Sequence, residues 1–200
     1  MAERKFGSRH PLLFYRRTMD RVWKITFVLG LVLAAVWRWS LLGETMILGI
    51  SSRVWFLAIA ALSFFLSAFA FMSRFKAYVQ VHRDYLSVVT PFLGFRVSYR
   101  RMRTAYPVLL QQLFPPNEAR RAERQYLEPF YGKTVIVVEM RGFPIDPRLL
   151  KLFLPSQMFS PRANGLVFLV PDWMGFSTEL DSFHGTWMQA QRDRAKEKAY

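Results

Sequence analysis

The chain has 200 residues, a net charge of +14, 52% hydrophobic residues and no cysteine. That length holds one membrane segment plus one compact domain, and the absence of cysteine excludes disulfides, thiolate metal sites and a cysteine nucleophile. The basic excess concentrates in residues 1–24 and 74–126, on either side of an apolar region.

Residues 1–24 read as a basic leader. Two apolar runs follow, Ile25–Leu42 and Val54–Met72, each close to the roughly 20 residues that cross a hydrocarbon core about 30 Å thick. The second run carries no charge, and the first carries only Arg38 near its far end. The pair predicts a transmembrane helical hairpin over 25–73. Its short connection holds Glu44 and Arg53. Lys and Arg are retained on the cytoplasmic side of such helices, which predicts both termini in the cytoplasm and an inner-membrane or plasma-membrane address. Trp23 at one boundary, and Trp37, Trp39 and Trp55 at the other, fit two interfacial belts. Arg38 sits where its guanidinium reaches the outer headgroups by snorkelling. The first run is no cleaved signal peptide, because its leader is long and no small-x-small site follows Ala34–Ala35.

From Ala77 the periodicity changes to two. Tyr78–His82, Tyr85–Thr90 and Phe95–Tyr99 alternate β-branched or aromatic residues with polar ones and are bounded by Arg83–Asp84 and Pro91–Gly94, which predicts an antiparallel meander. On the third run Phe95, Val97 and Tyr99 alternate with Arg96, Ser98 and Arg100, giving one apolar and one basic face. Residues 107–132 read as irregular, with a helical turn or two before Pro115, and Asn117–Gln125 as a charged exposed stretch. Lys133–Met140 and Gly165–Val170 predict two further strands, the first buried on both faces. Arg148–Phe153 predicts a short helix ended by Pro155. Thr178 and Asp181 have the spacing of a capping box, so the last helix is expected over 177–193, with Phe176, Leu180, Phe183 and Trp187 along one side and a polar tail at 194–200.

The order of these elements resembles the bacterial pleckstrin-homology-like domains that follow a two-helix membrane hairpin. Tyr78–Arg103 carries the resemblance: Val79-Gln80-Val81, Asp84, Leu86 and Val88–Thr90 precede Val97-Ser98-Tyr99-Arg100-Arg101-Met102, which is similar to the family's strand-closing signature. The terminal helix with Trp187 is similar to the helix that plugs such a barrel. The resemblance implies an α+β membrane protein, in which the hairpin is followed by a PH-like antiparallel barrel or sheet over 77–193 capped by a C-terminal helix. It implies no catalytic residues and no cofactor. Segments 104–132 and 141–164 are longer than the family's usual connections and are expected to serve a partner.

Two sets of residues are candidate contact sites. Arg74, Lys76, Arg96, Arg100, Arg101 and Arg103 are expected to meet anionic lipid headgroups or phosphate, since a juxtamembrane cation is worth about 1 kcal/mol near an anionic leaflet. Topological retention and a solvated sheet face explain the same charges without any ligand, and nucleic acid is not expected. Leu149, Leu150, Phe153, Trp173, Met174 and Phe176 are expected to contact a partner or the membrane, against the plainer reading that they close the core. The three histidines, His10, His82 and His184, have no metal-ligand spacing. No nucleophile elbow, phosphate loop or dinucleotide fingerprint is present. The sequence therefore predicts a non-catalytic membrane-anchored scaffold or interaction protein. The alternative is an accessory subunit that stabilises a larger membrane complex of respiratory or photosynthetic type.

Overall fold

A computed structural model describes residues 6–42 and 50–197, with side chains for 6–40 and 54–197. Glu44, the Arg53 side chain and the last three residues of the expected tail lie outside the described residues. The chain divides into a helical unit, Tyr15–Lys76, and a β unit built from the N-terminal segment up to Phe14 and from Ala77 onward.

The β unit contains two antiparallel sheets and a long terminal helix. The first sheet has the order β1 (Phe6–Pro11), β2 (Tyr78–His82), β3 (Tyr85–Val89) and β4 (Gly94–Ser98). The second has the order β5 (Met102–Leu109), β6 (Thr134–Met140) and β7 (Gly165–Phe168). The expected meander is present, and β6 is buried on both faces from Val135 to Val138. Phe95 and Val97 of β4 are buried, while Arg96 and Ser98 face outward.

Two strands differ from the sequence reading. The leader is not free: Phe6–Pro11 pairs with β2, Arg9 opposite Gln80 and His10 opposite Val79. Residues 102–109, expected to be partly irregular, pair with β6, with one shift of register between Met102 and Thr104. Pro107 is tolerated because β5 is an edge strand, where a missing amide costs no ladder bond.

The helical unit interrupts the first sheet between β1 and β2. At the interruption Leu12 N–H donates to Ala77 O at 3.1 Å and Leu13 N–H donates to Leu169 O at 3.0 Å. The chain therefore leaves the β unit and returns to it at one end. The register puts Pro11, Tyr78, Val89 and Gly94 at that end of the first sheet, and His82, Tyr85 and Ser98 at the other.

The long connection 110–133 folds against the exit point. It contains α3 (Leu110–Leu113), α4 (Arg121–Leu127) and a turn of 3-10 helix, Glu128–Phe130. Leu110, Leu113, Tyr126, Leu127 and Phe130 are buried. The Tyr126 hydroxyl donates to Phe14 O at 2.7 Å, and the Phe130 ring meets the Phe14 ring edge-on at 5.7 Å. Core formation thus accounts for these five residues of the segment. The connection 141–164 carries α5 (Pro147–Phe153), capped by Asp146.

The last helix, α6 (Trp173–Glu197), begins earlier than the 177–193 expected. Its start is set by Asp172, whose carboxylate accepts from Gly175 N–H at 2.9 Å, and not by Thr178 and Asp181. Phe176 and Leu180 point into the core. Phe176 meets His10 of the first sheet edge-on at 5.3 Å and Phe168 of the second at 5.9 Å, so the helix closes the space between the two sheets.

In the helical unit α1 (Leu13–Leu42) and α2 (Ile50–Ser73) run in opposite directions, since Asp20 pairs with Arg74, Trp23 with Phe71 and Phe27 with Phe64. The α2 seam is a line of small buried residues, Ala60, Ser63, Ser67 and Ala70. Ser67 Oγ donates to Trp23 O at 3.0 Å across the seam, and Gly30 lets the Phe64 ring approach the α1 backbone. Ala58, Ala61 and Ala68 of the same helix face outward. Among the described residues one stretch, Val54–Ser73, is long and apolar enough to cross a membrane, with mean hydropathy 2.3.

Candidate interaction surface

The basic candidates divide between the two units. Arg74 and Lys76 belong to the helical unit. Arg74 is engaged there: its Nη1 donates to Asp20 Oδ1 at 2.8 Å, and its guanidinium lies over the rings of Phe71 at 4.3 Å and Phe75 at 4.5 Å. Lys76 is exposed. In the β unit Arg96 projects from the outer face of the first sheet and lies over the Tyr85 ring at 4.9 Å. Arg100 and Arg101 fall in the turn after β4, at the end of the first sheet away from Ala77. Arg101 Nη1 donates to Phe143 O at 2.9 Å. Arg103 is exposed on the edge strand β5.

The apolar candidates also separate. Phe176 and Leu150 are fully buried and belong to the core, so neither is available to a partner. Phe153 and Trp173 are half-buried. Leu149, Leu152 and Met174 are exposed, Leu152 by 74% and Met174 by 63%. Trp173 opens α6 beside the chain exit. It lines a pocket of about 450 Å³ with Leu13, Gly132, Lys133, Thr134, Val170 and Pro171. A second pocket of similar volume lies beside α5, between Phe143, Phe159 and Lys151.

Of the tryptophans expected at a membrane boundary, Trp39 and Trp55 are largely exposed, while Trp23 and Trp37 are half-buried. Val28, Leu29, Leu31 and Val32 of α1 and Phe65, Leu66 and Met72 of α2 are also exposed, a surface that water would not favour.

One polar cluster was not legible in the sequence, because its members lie far apart in the chain. Glu179 of α6 accepts from the Ser8 amide at 3.0 Å and from the Ser8 hydroxyl at 2.9 Å, and its Oε2 lies 3.3 Å from His10 Nε2. Gly7 permits the approach: a Cβ there would fall 2.4 Å from Glu179 Oε2. Burial pushes the Glu179 carboxyl upward, but the Ser8 and His10 hydrogen bonds outweigh it and hold the carboxyl below its ordinary value. The cluster ties the edge strand β1 to α6. Ser8 and His10 both address Glu179, the Ser8 hydroxyl as a donor to its carboxylate.

The other histidines serve packing. His82 stacks on Tyr85 at 4.6 Å, and burial followed by the nearby Arg96 charge lowers its pKa. His184, Tyr99 and Trp187 form a cluster of three rings, with centroids 5.5 Å apart for His184 and Tyr99, 6.3 Å for His184 and Trp187 and 6.1 Å for Tyr99 and Trp187. Among the described residues no three of His, Asp and Glu are grouped so as to share a metal ion. The chain matches no protein-family model, no curated protein and no solved structure.

Proposed function

We propose that this chain is a non-catalytic, membrane-anchored interaction protein of PH-like type, with a hairpin that spans the bilayer twice and a β unit held at the cytoplasmic leaflet. The observation that carries the reading is the Leu12–Ala77 hydrogen bond. Strands β1 and β2 are neighbours in one sheet, so the chain must leave and re-enter the β unit on the same side of any membrane. If Val54–Ser73 crosses, an even number of crossings is required, and Ile25–Leu42 is the other apolar stretch that supplies one. The basic residues flanking the hairpin favour the cytoplasm for that shared side.

Four strands, then three, then a helix wedged between the sheets supports the PH-like reading of the β unit. The commitment of Glu179, His10 and Ser8 to fastening β1 favours an architectural over a chemical role for this cluster.

The reading as an accessory subunit of a larger complex is favoured by Leu149 and Leu152. Both are exposed on α5, which belongs to the connection between Met140 and Gly165, the end of the second sheet away from the chain exit. Extraction of native membranes in a mild detergent, with affinity capture through a C-terminal tag and mass spectrometry, separates the two. Stoichiometric membrane proteins that are lost with Leu149→Ser plus Leu152→Ser identify a complex subunit. A solitary protein identifies an anchor whose contacts are with lipid.

A further inference from the structure

We infer that the end of the β unit where the chain exits is itself a lipid-contact surface, with Phe92, Trp173 and Met174 seated in the interfacial layer of the bilayer. The inference rests on the anchor reading above and replaces the Arg96–Arg100 face as the contact.

Three observations converge on this end. The first is the tether. Ser73, the last residue of the apolar helix, is separated from Ala77 by only Arg74, Phe75 and Lys76. Four Cα steps reach at most about 14 Å, and the polar layer of one leaflet is roughly 5–8 Å thick. With α2 spanning the hydrocarbon, Ala77 cannot rise far above the headgroups.

The second is the character of the side chains around Ala77. Tyr78 pairs with Val89, which opens the β3–β4 turn. Thr90 closes that turn onto Leu93 O through its amide at 2.9 Å and its hydroxyl at 2.8 Å, and Phe92 at its tip is 49% exposed. Turn tips in water are ordinarily Gly, Asn, Asp or Ser. On the other side Met174, 63% exposed, follows the half-buried Trp173, which lines the pocket beside Leu13. A ring with one polar edge beside an exposed thioether suits the boundary between headgroup and acyl chain.

The third is charge. The exposed Lys133 borders the same pocket, and Lys76 leads into the same end. Both suit an anionic leaflet, each contributing favourably within a Debye length. By contrast Arg100 and Arg101 lie at the far end of the first sheet, about 17 Å along five residues.

The test uses the natural absence of cysteine. Single variants Phe92→Cys, Met174→Cys, Leu152→Cys and Phe65→Cys of the full chain carry a nitroxide and are placed in nanodiscs of phosphatidylcholine and phosphatidylglycerol. Collision with oxygen is compared with collision with a water-soluble nickel chelate. Labels at 92 and 174 are expected to be several-fold less accessible to the chelate than the label at 152. Equal chelate access at 92, 174 and 152, with the label at 65 deep in lipid, overturns the inference and leaves the anchor standing. An aqueous label at 65 overturns both.

Discussion

Leu12 and Ala77 share a backbone hydrogen bond of 3.1 Å although the whole helical unit, Tyr15–Lys76, lies between them in sequence. The β unit is therefore a domain split by an insertion, with its first strand on one side of the hairpin and all the others on the far side.

Excision is the first consequence. Replacing Tyr15–Lys76 by a short Gly/Ser loop is expected to leave a folded, water-soluble β unit, because the ends to be joined are already neighbours and loop closure over a few residues is cheap. A fragment of residues 77–200 lacks β1. It exposes the β2 edge and leaves Glu179 without Ser8 and His10, so it is expected to melt lower or aggregate. Circular dichroism melts of the two proteins compare them.

Glu179 fastens β1 through charge-assisted hydrogen bonds. Glu179→Ala is expected to cost about 1–3 kcal/mol, because two Ser8 donors lose their acceptor. Chemical unfolding of the excised β unit reads the difference, and an unchanged midpoint would remove the fastening role.

Acid should weaken the fold in two windows. Glu179 has a lowered folded pKa, so near and below its ordinary value of 4.5 the unfolded chain binds more protons, and stability is lost as pH falls through the folded pKa. His82 also has a lowered folded pKa, so the same sign applies from its ordinary value of 6.5 downward. Unfolding midpoints from pH 8 to 3.5 are expected to fall first gently and then more steeply. The gentle part is removed by His82→Gln and the steep part is reduced by Glu179→Gln.

Side chains that the sequence grouped as contacts should divide by burial. Phe176→Ala empties the space between the sheets and is expected to cost about 3–5 kcal/mol, whereas Met174→Ala, on the neighbouring exposed position, should cost less than about 1 kcal/mol. Gly165→Ala brings a Cβ to 2.7 Å from Val138 O and is expected to cost about 1–3 kcal/mol, while Gly94→Ala meets open space and should change little. Denaturation midpoints of the four variants give the comparison.

The central strands were legible because β2, β3, β4 and β6 repeat β-branched and aromatic residues between clear turn signals. The edge strands were not. In β1 the run Phe-Gly-Ser-Arg-His-Pro has no apolar alternation, and it forms because β2 and Glu179 offer partners that appear only after folding. In β5 the Pro107 signal argues for a break, yet an edge position removes its cost. Helix α6 starts at Asp172 because that carboxylate reaches the Gly175 amide, while the Thr178–Asp181 spacing mimics a cap inside the helix. Of the contact candidates, exposure at Met174 and burial at Phe176 could not be separated before the helix start and its inward face were known.

The most direct test of the split domain and of the two crossings proposed for its insertion is a sidedness measurement. Single-cysteine variants Arg9→Cys, Thr45→Cys and Arg192→Cys of the full chain are exposed to a membrane-impermeant maleimide in right-side-out and inverted vesicles. Residues 9 and 192 are predicted to label together in inverted vesicles, and residue 45 in right-side-out ones. Labelling of residues 9 and 192 from opposite faces would contradict the shared sheet and the even number of crossings together.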